Sequence, residues 1–367
     1  MEDMTSLFRE DLSSIPSYVP GRTIPGAIKI ASNEVTDGPG QVVLDAVTAA
    51  VSGCNRYPDT SSAELRVAIA NALNRDLQAQ NMSTDSHITP AQIVVGNGSV
   101  SLLQHLIQAT CPAGANVVMA WRSFEAYPIM GHVAQANLVQ VPNLPDGKHD
   151  LDAMAEAAQD PNTGIVLLCN PNNPTGETFS HIDLEEFLQK VPRTVLVALD
   201  EAYYHYNRLG TFPHSLELLS DYPNLVVLRT FSKAYGLAGL RVGYLLGSEE
   251  ACQELSKVVT PFATNVVAQA AAVAALTIRD QLLARTDLIV DERQRVTQAL
   301  RTMGFEVHNS EANFVWLPRT DAQQLTDYLT EQKILVRGFV GDGIRVTIST
   351  PAENDQFLDA IAGYPAI

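Results

Sequence analysis

The chain has 367 residues, and its 24 Lys and Arg against 41 Asp and Glu give a formal net charge of −17. An acidic surface repels phosphate backbones, so this balance argues against DNA, RNA and anionic membranes as partners. Hydrophobic residues make up 46% and charged residues 18%, as in ordinary globular proteins, and the length predicts two domains. The four cysteines are far apart and form no Cys-x-x-Cys pair, so we expect neither a metal centre nor a disulfide framework.

The amino-terminal sequence is acidic and lacks the basic start and apolar core of a signal peptide. The longest mostly apolar stretch, residues 266–276, is far shorter than the ~20 residues that span a bilayer. The sequence therefore predicts a soluble cytoplasmic protein.

Residues 1–30 contain several prolines and predict an extended arm, in which apolar side chains such as Tyr18 pack against another surface. Short, near-continuous, β-branched runs then alternate with helix-like segments, which is typical of strands covered on both faces. Such alternation predicts an α/β fold with a mostly parallel central sheet flanked by helices. The predicted strands are residues 92–95, 116–120, 138–141, 165–169, 195–199, 225–228 and 242–246.

The pattern changes after Pro261. Residues 265–301 are rich in Ala, Leu, Gln and Arg and predict one or two long helices. Short strand candidates follow, with a helix between the first two and another at the end; they are residues 313–317, 334–337 and 344–349. The chain thus divides into an arm (1–30), a large domain (31–264) and a smaller α+β domain (265–367).

Ligands of parallel sheets bind beyond the carboxyl ends of the strands, and four predicted strands end there in polar residues. The first passes through Gly96 and Gly98 directly into a helix at Ser99, where free backbone N–H groups suit a phosphate. An ordinary turn with a helix N-cap explains the same residues. The second ends in Asp200, with Tyr203 nearby; the alternatives are a solvated carboxylate or an N-cap.

The third strand end is a loop, residues 170–176 (NPNNPTG), whose three side-chain amides could bind a flat polar ligand, or which could be a structural turn. The fourth is the segment after residue 228, where Lys233 follows a buried strand in a glycine-containing loop. A desolvated lysine near other cations becomes a nucleophile for carbonyl carbon. The other five lysines lie in polar, turn or extended surroundings, so Lys233 is the candidate by elimination.

Together these signals match one cofactor, pyridoxal 5'-phosphate. It requires a lysine for its aldehyde, an anionic partner for its ring nitrogen, donors for its ring oxygen, a phosphate cup and an aromatic stack. Each requirement has a candidate in this sequence.

Segments 170–176, 199–203 (LDEAY) and 230–244 (TFSKAYGLAGLRVGY) resemble the fold type I aminotransferases. Within them the sequence is most similar to the histidinol-phosphate aminotransferase group and its actinobacterial offshoot, the aromatic or phenylalanine aminotransferases. The likeness runs nearly end to end. It implies a pyridoxal phosphate enzyme of fold type I, with an extended arm and a smaller carboxyl-terminal domain.

The resemblance also implies site roles. Lys233 would bond the cofactor aldehyde and then move the proton between substrate and cofactor. The remaining cofactor contacts would be Asp200 at the ring nitrogen, Asn173 and Tyr203 at the ring oxygen, Phe124 on the ring face, and Ser99, the Val100 amide, Ser232 and Arg241 at the phosphate.

Tyr57 would reach the phosphate of the partner subunit's cofactor, which implies a homodimer. For the substrate, Arg345 would bind the carboxylate as a bidentate fork, with Arg337 assisting unless it forms a surface ion pair. Tyr18 and Asn33 would complete the substrate site.

The amino donor is either an aromatic amino acid or histidinol phosphate. Residues 98–101 (GSVS) and 33–37 (NEVTD) depart from the histidinol-phosphate pattern, GSDE and NENPY, and lose polar or aromatic groups. Phe124 also lacks a hydroxyl for a substrate phosphate. We therefore expect phenylalanine or tyrosine as donor and 2-oxoglutarate as acceptor in a ping-pong reaction. A decarboxylase or C–S lyase on the same cofactor, or a non-enzymatic binding module, is the alternative from another class.

Overall fold

The structure, a computed structural model, describes residues 7–9, 12, 15, 23–79 and 87–366. The described residues form both strands and helices in alternation. The strands are β1 Ile28–Lys29, β2 Ile93–Gly96, β3 Asn116–Trp121, β4 Asn137–Pro142, β5 Thr163–Cys169, β6 Leu196–Asp200, β7 Leu225–Thr230, β8 Gly243–Leu246, β9 Phe314–Pro318, β10 Ile334–Leu335, β11 Arg337–Phe339 and β12 Gly343–Thr347. The helices are α1 Gln41–Val51, α2 Ala63–Ala79, α3 Ser99–Thr110, α4 Ala126–Val133, α5 Leu151–Ala157, α6 His181–Lys190, α7 Glu249–Ser256, α8 Val266–Thr277, α9 Arg279–Thr302, α10 Ala322–Glu331 and α11 Pro351–Ile361.

A seven-stranded sheet forms the centre, in the order β2-β8-β7-β6-β5-β3-β4. All neighbours pair in parallel except at β8, which is antiparallel to both β2 and β7. The seven strands predicted from the apolar runs all belong to it. The prediction of a mostly parallel α/β sheet is therefore confirmed.

Apolar side chains cover this sheet on both faces. Along β3, Val118 and Ala120 belong to one buried cluster, whereas Val117 and Met119 belong to another. Since successive strand residues point to opposite faces, the two clusters lie on opposite sides of the sheet. This double burial explains why the strands are near-continuous apolar runs rather than alternating ones.

A second, antiparallel sheet has the order β11-β12-β9, and with α10 and α11 it encloses a separate buried cluster. The single strand predicted over residues 334–337 is divided. Ile334 and Leu335 pair in parallel with Ile28 and Lys29 of β1, whereas Arg337 starts the strand that pairs with β12. The end of the predicted arm is thus part of a sheet.

Residues 265–301 form two helices, α8 and α9, which meet at a bend of 80°. Buried alanines of α8 belong to the same cluster as the central sheet, together with residues of α1 and α2. We therefore propose to place the boundary between the large and small domains after α8 rather than before it. Among the described helices, none is by itself long and apolar enough to cross a membrane, and α8 with α9 would qualify only as a bent pair.

Candidate active site

A cavity of about 380 Å³ lies at the edge of the central sheet where the parallel strands end. Twelve of the fourteen predicted site residues line it, which brings together segments from most of the chain. These twelve residues are Asn33, Ser99, Val100, Phe124, Asn173, Asp200, Tyr203, Ser232, Lys233, Arg241, Arg337 and Arg345.

The two remaining predicted residues are tyrosines. Tyr57 is 82% exposed and does not belong to the described lining of this cavity. Its ring stacks on Phe262, with centroids 4.5 Å apart. Tyr18 lies outside the described residues.

One corner of the cavity is built for an anion. Gly98 has a φ of 81°, and α3 begins at the next residue, Ser99, so the first N–H groups of the helix are available to a ligand. Arg241, just before β8, donates from Nη1 to Ser232 Oγ at 3.3 Å. A Cβ on Gly98 would lie 2.5 Å from Arg241 Nη2, and the φ of 81° is one that L side chains rarely adopt, so glycine is favoured where this guanidinium meets the start of α3.

Asp200 is the last residue of β6 and is 8% exposed. The Tyr127 hydroxyl and the Ala202 N–H each donate a hydrogen bond to its carboxylate at 3.1 Å. Burial raises the pKa of Asp200 to about 6, although both hydrogen bonds oppose this shift. A cation on the cavity side would compensate the cost of the buried charge.

Lys233 follows β7, and its Nζ donates to the carbonyl oxygens of Ser32 and Asn33 at 3.3 and 3.2 Å. Burial, together with the positive charge of Arg345, lowers the pKa of Lys233 to about 7. Near neutral pH, the side chain is therefore a neutral amine in a large fraction of the molecules. Such an amine is a nucleophile for a carbonyl carbon and a base for a nearby proton.

Two arginines of the second sheet also line the cavity. Arg345 is 7% exposed and donates to Asn173 Oδ1 at 2.5 Å and to the Ala31 carbonyl at 2.7 Å. Its cross-strand neighbour Arg337 forms a two-pronged ion pair with Glu125, at 3.1 and 2.8 Å. Arg337 therefore lines the cavity and also forms an ion pair, which is partly buried rather than the surface pair of the alternative.

Three residues that sequence reasoning assigned no role contribute to the site. Tyr127 bonds Asp200, Glu125 neutralises Arg337, and Thr347 bonds Asn33 at the cavity wall. Tyr127 follows Phe124 by three residues across the start of α4, and the two rings pack edge to face at 5.5 Å. The three-residue spacing between Phe124 and Tyr127 was the only signal in the sequence. The partners of the three residues, Asp200, Arg337 and Asn33, come from distant elements.

Cationic side chains outnumber acidic ones in the cavity lining, whereas acidic residues predominate in the chain as a whole. Four of its lining side chains are cationic and three are acidic (Glu34, Glu125 and Asp200). The arrangement can therefore hold small anions beside a nucleophilic amine and a buried carboxylate. Among the described residues, no group of three or more His, Cys, Asp or Glu side chains could hold a metal ion.

Comparison with known proteins agrees with this chemistry. The family model "Aminotransferase class I and II" matches residues 25–361. The chain is 49% identical over 356 residues to the aromatic amino acid aminotransferase of Rhodococcus erythropolis, covering 97% of this chain and 95% of that one. It is 50% identical over 358 residues to the protein of the same name from Rhodococcus opacus, with the same coverage.

Among solved structures, histidinol-phosphate aminotransferase from Sinorhizobium meliloti, in complex with pyridoxal-5'-phosphate, is similar with a TM-score of 0.86. The two sequences are 30% identical, and the match covers 97% of each chain. The expected fold type I architecture is thereby confirmed. The chain belongs to the class I and II aminotransferase family.

Proposed function

We propose that this protein is a pyridoxal phosphate-dependent aromatic amino acid aminotransferase, which exchanges an amino group between phenylalanine or tyrosine and 2-oxoglutarate. The observation that carries the proposal is a single cavity that Lys233, Asp200 and Arg345 all line. The relatives with 49% and 50% identity bear the name of this activity, which favours an aromatic donor over histidinol phosphate.

The residues fit the cofactor at both of its ends. Ser99, the Val100 amide, Ser232 and Arg241 would hold the phosphate in the corner that Gly98 leaves open. Asp200 is buried, and no described side chain forms an ion pair with it, so it would pair with a protonated ring nitrogen. Phe124 would cover one ring face, and Asn173 and Tyr203 would bind the ring oxygen. Bound there, pyridoxal phosphate supplies a sink for the electrons that remain when the substrate Cα loses its proton.

Lys233 has two tasks in this mechanism. As a neutral amine it would bond the cofactor aldehyde, which its pKa of about 7 permits at neutral pH. As a base, Nζ would also take the proton from the substrate Cα and deliver it to the cofactor. The carbonyls of Ser32 and Asn33, which accept its hydrogen bonds, keep Nζ within the cavity.

Arg345 would bind the carboxylate that both substrates share, because its fork matches a planar anion. Arg337 and Asn33 would line the rest of the substrate site, and Tyr18 stays part of this proposal. Glu125 already neutralises Arg337. A substrate phosphate near the Arg337 guanidinium would therefore also lie near the negatively charged carboxylate of Glu125. This pairing favours a donor with an apolar side chain over histidinol phosphate.

The test is a donor screen. The purified protein, loaded with pyridoxal phosphate, is given 2-oxoglutarate and either phenylalanine, tyrosine or histidinol phosphate, and glutamate is measured. We expect higher kcat/KM for the aromatic donors and parallel double-reciprocal lines for the two substrates. A clear preference for histidinol phosphate would reverse the assignment, and absence of glutamate would exclude transamination.

We further propose a homodimer in which Tyr57 reaches the cofactor phosphate of the partner subunit. Tyr57 is exposed and lies outside the described lining of its own cavity, and three exposed apolar side chains of α1 offer contact area: Val42, Leu44 and Val51. Mixing tests this directly. If Tyr57 acts across the interface, mixed dimers of one Tyr57→Phe subunit and one Lys233→Ala subunit should each contain one site with wild-type cofactor affinity. If Tyr57 acts within its own subunit, mixing should restore no such site.

We also propose a cytoplasmic location. The cysteines Cys54, Cys111, Cys169 and Cys252 are all unpaired, as expected in a reducing compartment.

A further inference from the structure

Asn33 lies at the centre of a hydrogen-bond network between the two sheets. Its Nδ2 donates to the Tyr203 hydroxyl at 2.9 Å, and its backbone N–H donates to Thr347 Oγ1, also at 2.9 Å. The Thr347 hydroxyl in turn lies 3.0 Å from Asn33 Oδ1. All three residues are at most 4% exposed, so these groups depend on one another rather than on solvent.

The direction of each hydrogen bond follows from counting protons. A backbone N–H can only donate, so Thr347 Oγ1 accepts from Asn33 N and has its single proton left to give to Asn33 Oδ1. With the Asn33 amide reversed, two N–H donors would meet the Thr347 oxygen. Its own proton would then have no acceptor among the described residues, which is costly at a buried site. Thr347 therefore selects the orientation that turns Asn33 Nδ2 toward Tyr203.

Tyr203 has only one proton on its hydroxyl. Because that oxygen accepts the Asn33 N–H, the proton is not used toward Asn33, and Tyr203 lines the cavity. We propose that Thr347 is a positioning residue, which acts through Asn33 to make the Tyr203 hydroxyl a hydrogen-bond donor to the group bound in the cavity. This inference rests on the proposed function, since the acceptor is the ring oxygen of pyridoxal phosphate.

The same strand would also bind the substrate. Thr347 and Arg345 are two residues apart on β12 and so point to the same face. Arg345 donates to the Ala31 carbonyl, and the Thr347 N–H donates to the Ile30 carbonyl at 2.9 Å. Segment 30–33 is thus held along β12. This strand therefore carries both the arginine that would bind the substrate carboxylate and the threonine that would make the Tyr203 hydroxyl a donor to the ring oxygen.

The test uses Thr347→Val, which keeps the side-chain shape and removes the hydroxyl. Without its donor, the Asn33 amide is free to turn its oxygen toward Tyr203 and draw the phenol proton out of the cavity. A ring oxygen that accepts one hydrogen bond fewer is less stable as an anion. The pKa of the proton that this oxygen shares with the nitrogen bonding Lys233 to the cofactor should therefore rise. We expect the pH midpoint of the bound-cofactor absorbance to rise by roughly 0.5 to 1 unit.

The equilibrium dissociation constant for pyridoxal phosphate should rise about three- to tenfold in Thr347→Val, in the same direction as in Tyr203→Phe. Thr347→Ser, which retains the hydroxyl, should match the wild type in both measurements. Thr163→Val is the matched control, because it removes a buried hydroxyl at the start of β5, which bonds the Ala157 carbonyl. Asn33→Asp, which presents only acceptors to Tyr203, should raise the midpoint even if Thr347→Val does not fold.

The positioning role is overturned if Tyr203→Phe shifts both quantities while Thr347→Val and Asn33→Asp leave them at wild-type values. It is also overturned if Thr163→Val shifts them as much as Thr347→Val, since the effect would then be a general loss of packing. A wild-type protein that does not bind pyridoxal phosphate would instead refute the proposed function, and the positioning role with it.

Discussion

Arg345 donates a hydrogen bond to Asn173 Oδ1 at 2.5 Å, although the two residues are 172 positions apart in the chain. One stands on β12 of the second sheet and the other in the loop after β5 of the central sheet. Because Asn173 accepts this bond with its oxygen, its Nδ2 is the group left to donate into the cavity. A carboxylate bound at Arg345 would therefore contact the same guanidinium that orients Asn173.

Replacing Lys233 tests the centre of the mechanism. Lys233→Ala should lower turnover of phenylalanine by at least about a thousandfold and remove the absorbance of the covalently bound cofactor, because both the nucleophile and the base are lost. Lys190→Ala is the control, since Lys190 is exposed and pairs with Asp152 on the surface. Transamination retained by Lys233→Ala would contradict the assignment.

The pKa of Lys233 should be visible in cofactor addition. Only the neutral amine attacks the aldehyde, so the rate at which cofactor-free protein bonds pyridoxal phosphate should rise with pH through about 7. Arg345 lowers the pKa of Lys233, so Arg345→Met should move this midpoint to higher pH. Stopped-flow absorbance across a pH series provides the measurement.

Arg345→Lys separates charge from geometry in the same experiment. It keeps the positive charge near Lys233, so the midpoint should stay close to that of the wild type. It loses the planar fork, so the KM for phenylalanine should still rise, by about tenfold or more. An unchanged midpoint in Arg345→Met would show that Arg345 does not act on the lysine.

Glu125 should influence the choice of substrate. Glu125→Gln leaves the charge of Arg337 without its neutralising carboxylate, so the kcat/KM of histidinol phosphate relative to phenylalanine should rise roughly three- to tenfold. Asp342→Asn is the matched control: it breaks the adjacent ion pair with Arg122, which joins the same two chain segments outside the cavity lining. A similar change of the substrate ratio in both variants would argue against a local charge effect.

Tyr127 should set the acid limit of activity. Its hydroxyl stabilises the ionised form of Asp200, so Tyr127→Phe raises the pKa of that carboxyl further above its usual value. The acid limb of the kcat/KM profile should then move to higher pH by roughly half a unit to one unit. Tyr206→Phe is the control, because that buried hydroxyl has no hydrogen-bond partner among the described residues. A limb that stays in place in Tyr127→Phe would contradict this role.

Gly98 should be required for phosphate binding. In Gly98→Ala the added Cβ would lie 2.5 Å from Arg241 Nη2 at a φ of 81°, so the guanidinium or the start of α3 must shift. We expect the dissociation constant for pyridoxal phosphate to rise at least about tenfold in equilibrium titration. Gly239→Ala also alters the cavity lining, but no described atom lies within 4 Å of the added Cβ, so its affinity should not change.

Much of the fold was predictable because its determinants are local. A strand buried on both faces is recognisable as a β-branched run, and each of the seven runs forms a strand of the central sheet. Lys233 could be selected because the sequence has only six lysines and this one follows such a run. Tyr127, Glu125 and Thr347 could not be selected, since their partners Asp200, Arg337 and Asn33 come from distant parts of the chain.

The sequence by itself determined the strand order along the chain, the glycine at the anion corner and an overall charge of −17. Only the tertiary structure decided where cationic side chains come together in this acidic protein, because β2, β5, β6 and β7 end at one edge and β12 brings Arg345 to it. Burial at that edge brings the pKa values of Lys233 and Asp200 to about 7 and about 6. Desolvation and hydrogen-bond direction depend on which groups surround an atom in space, and spacing along the chain does not specify them.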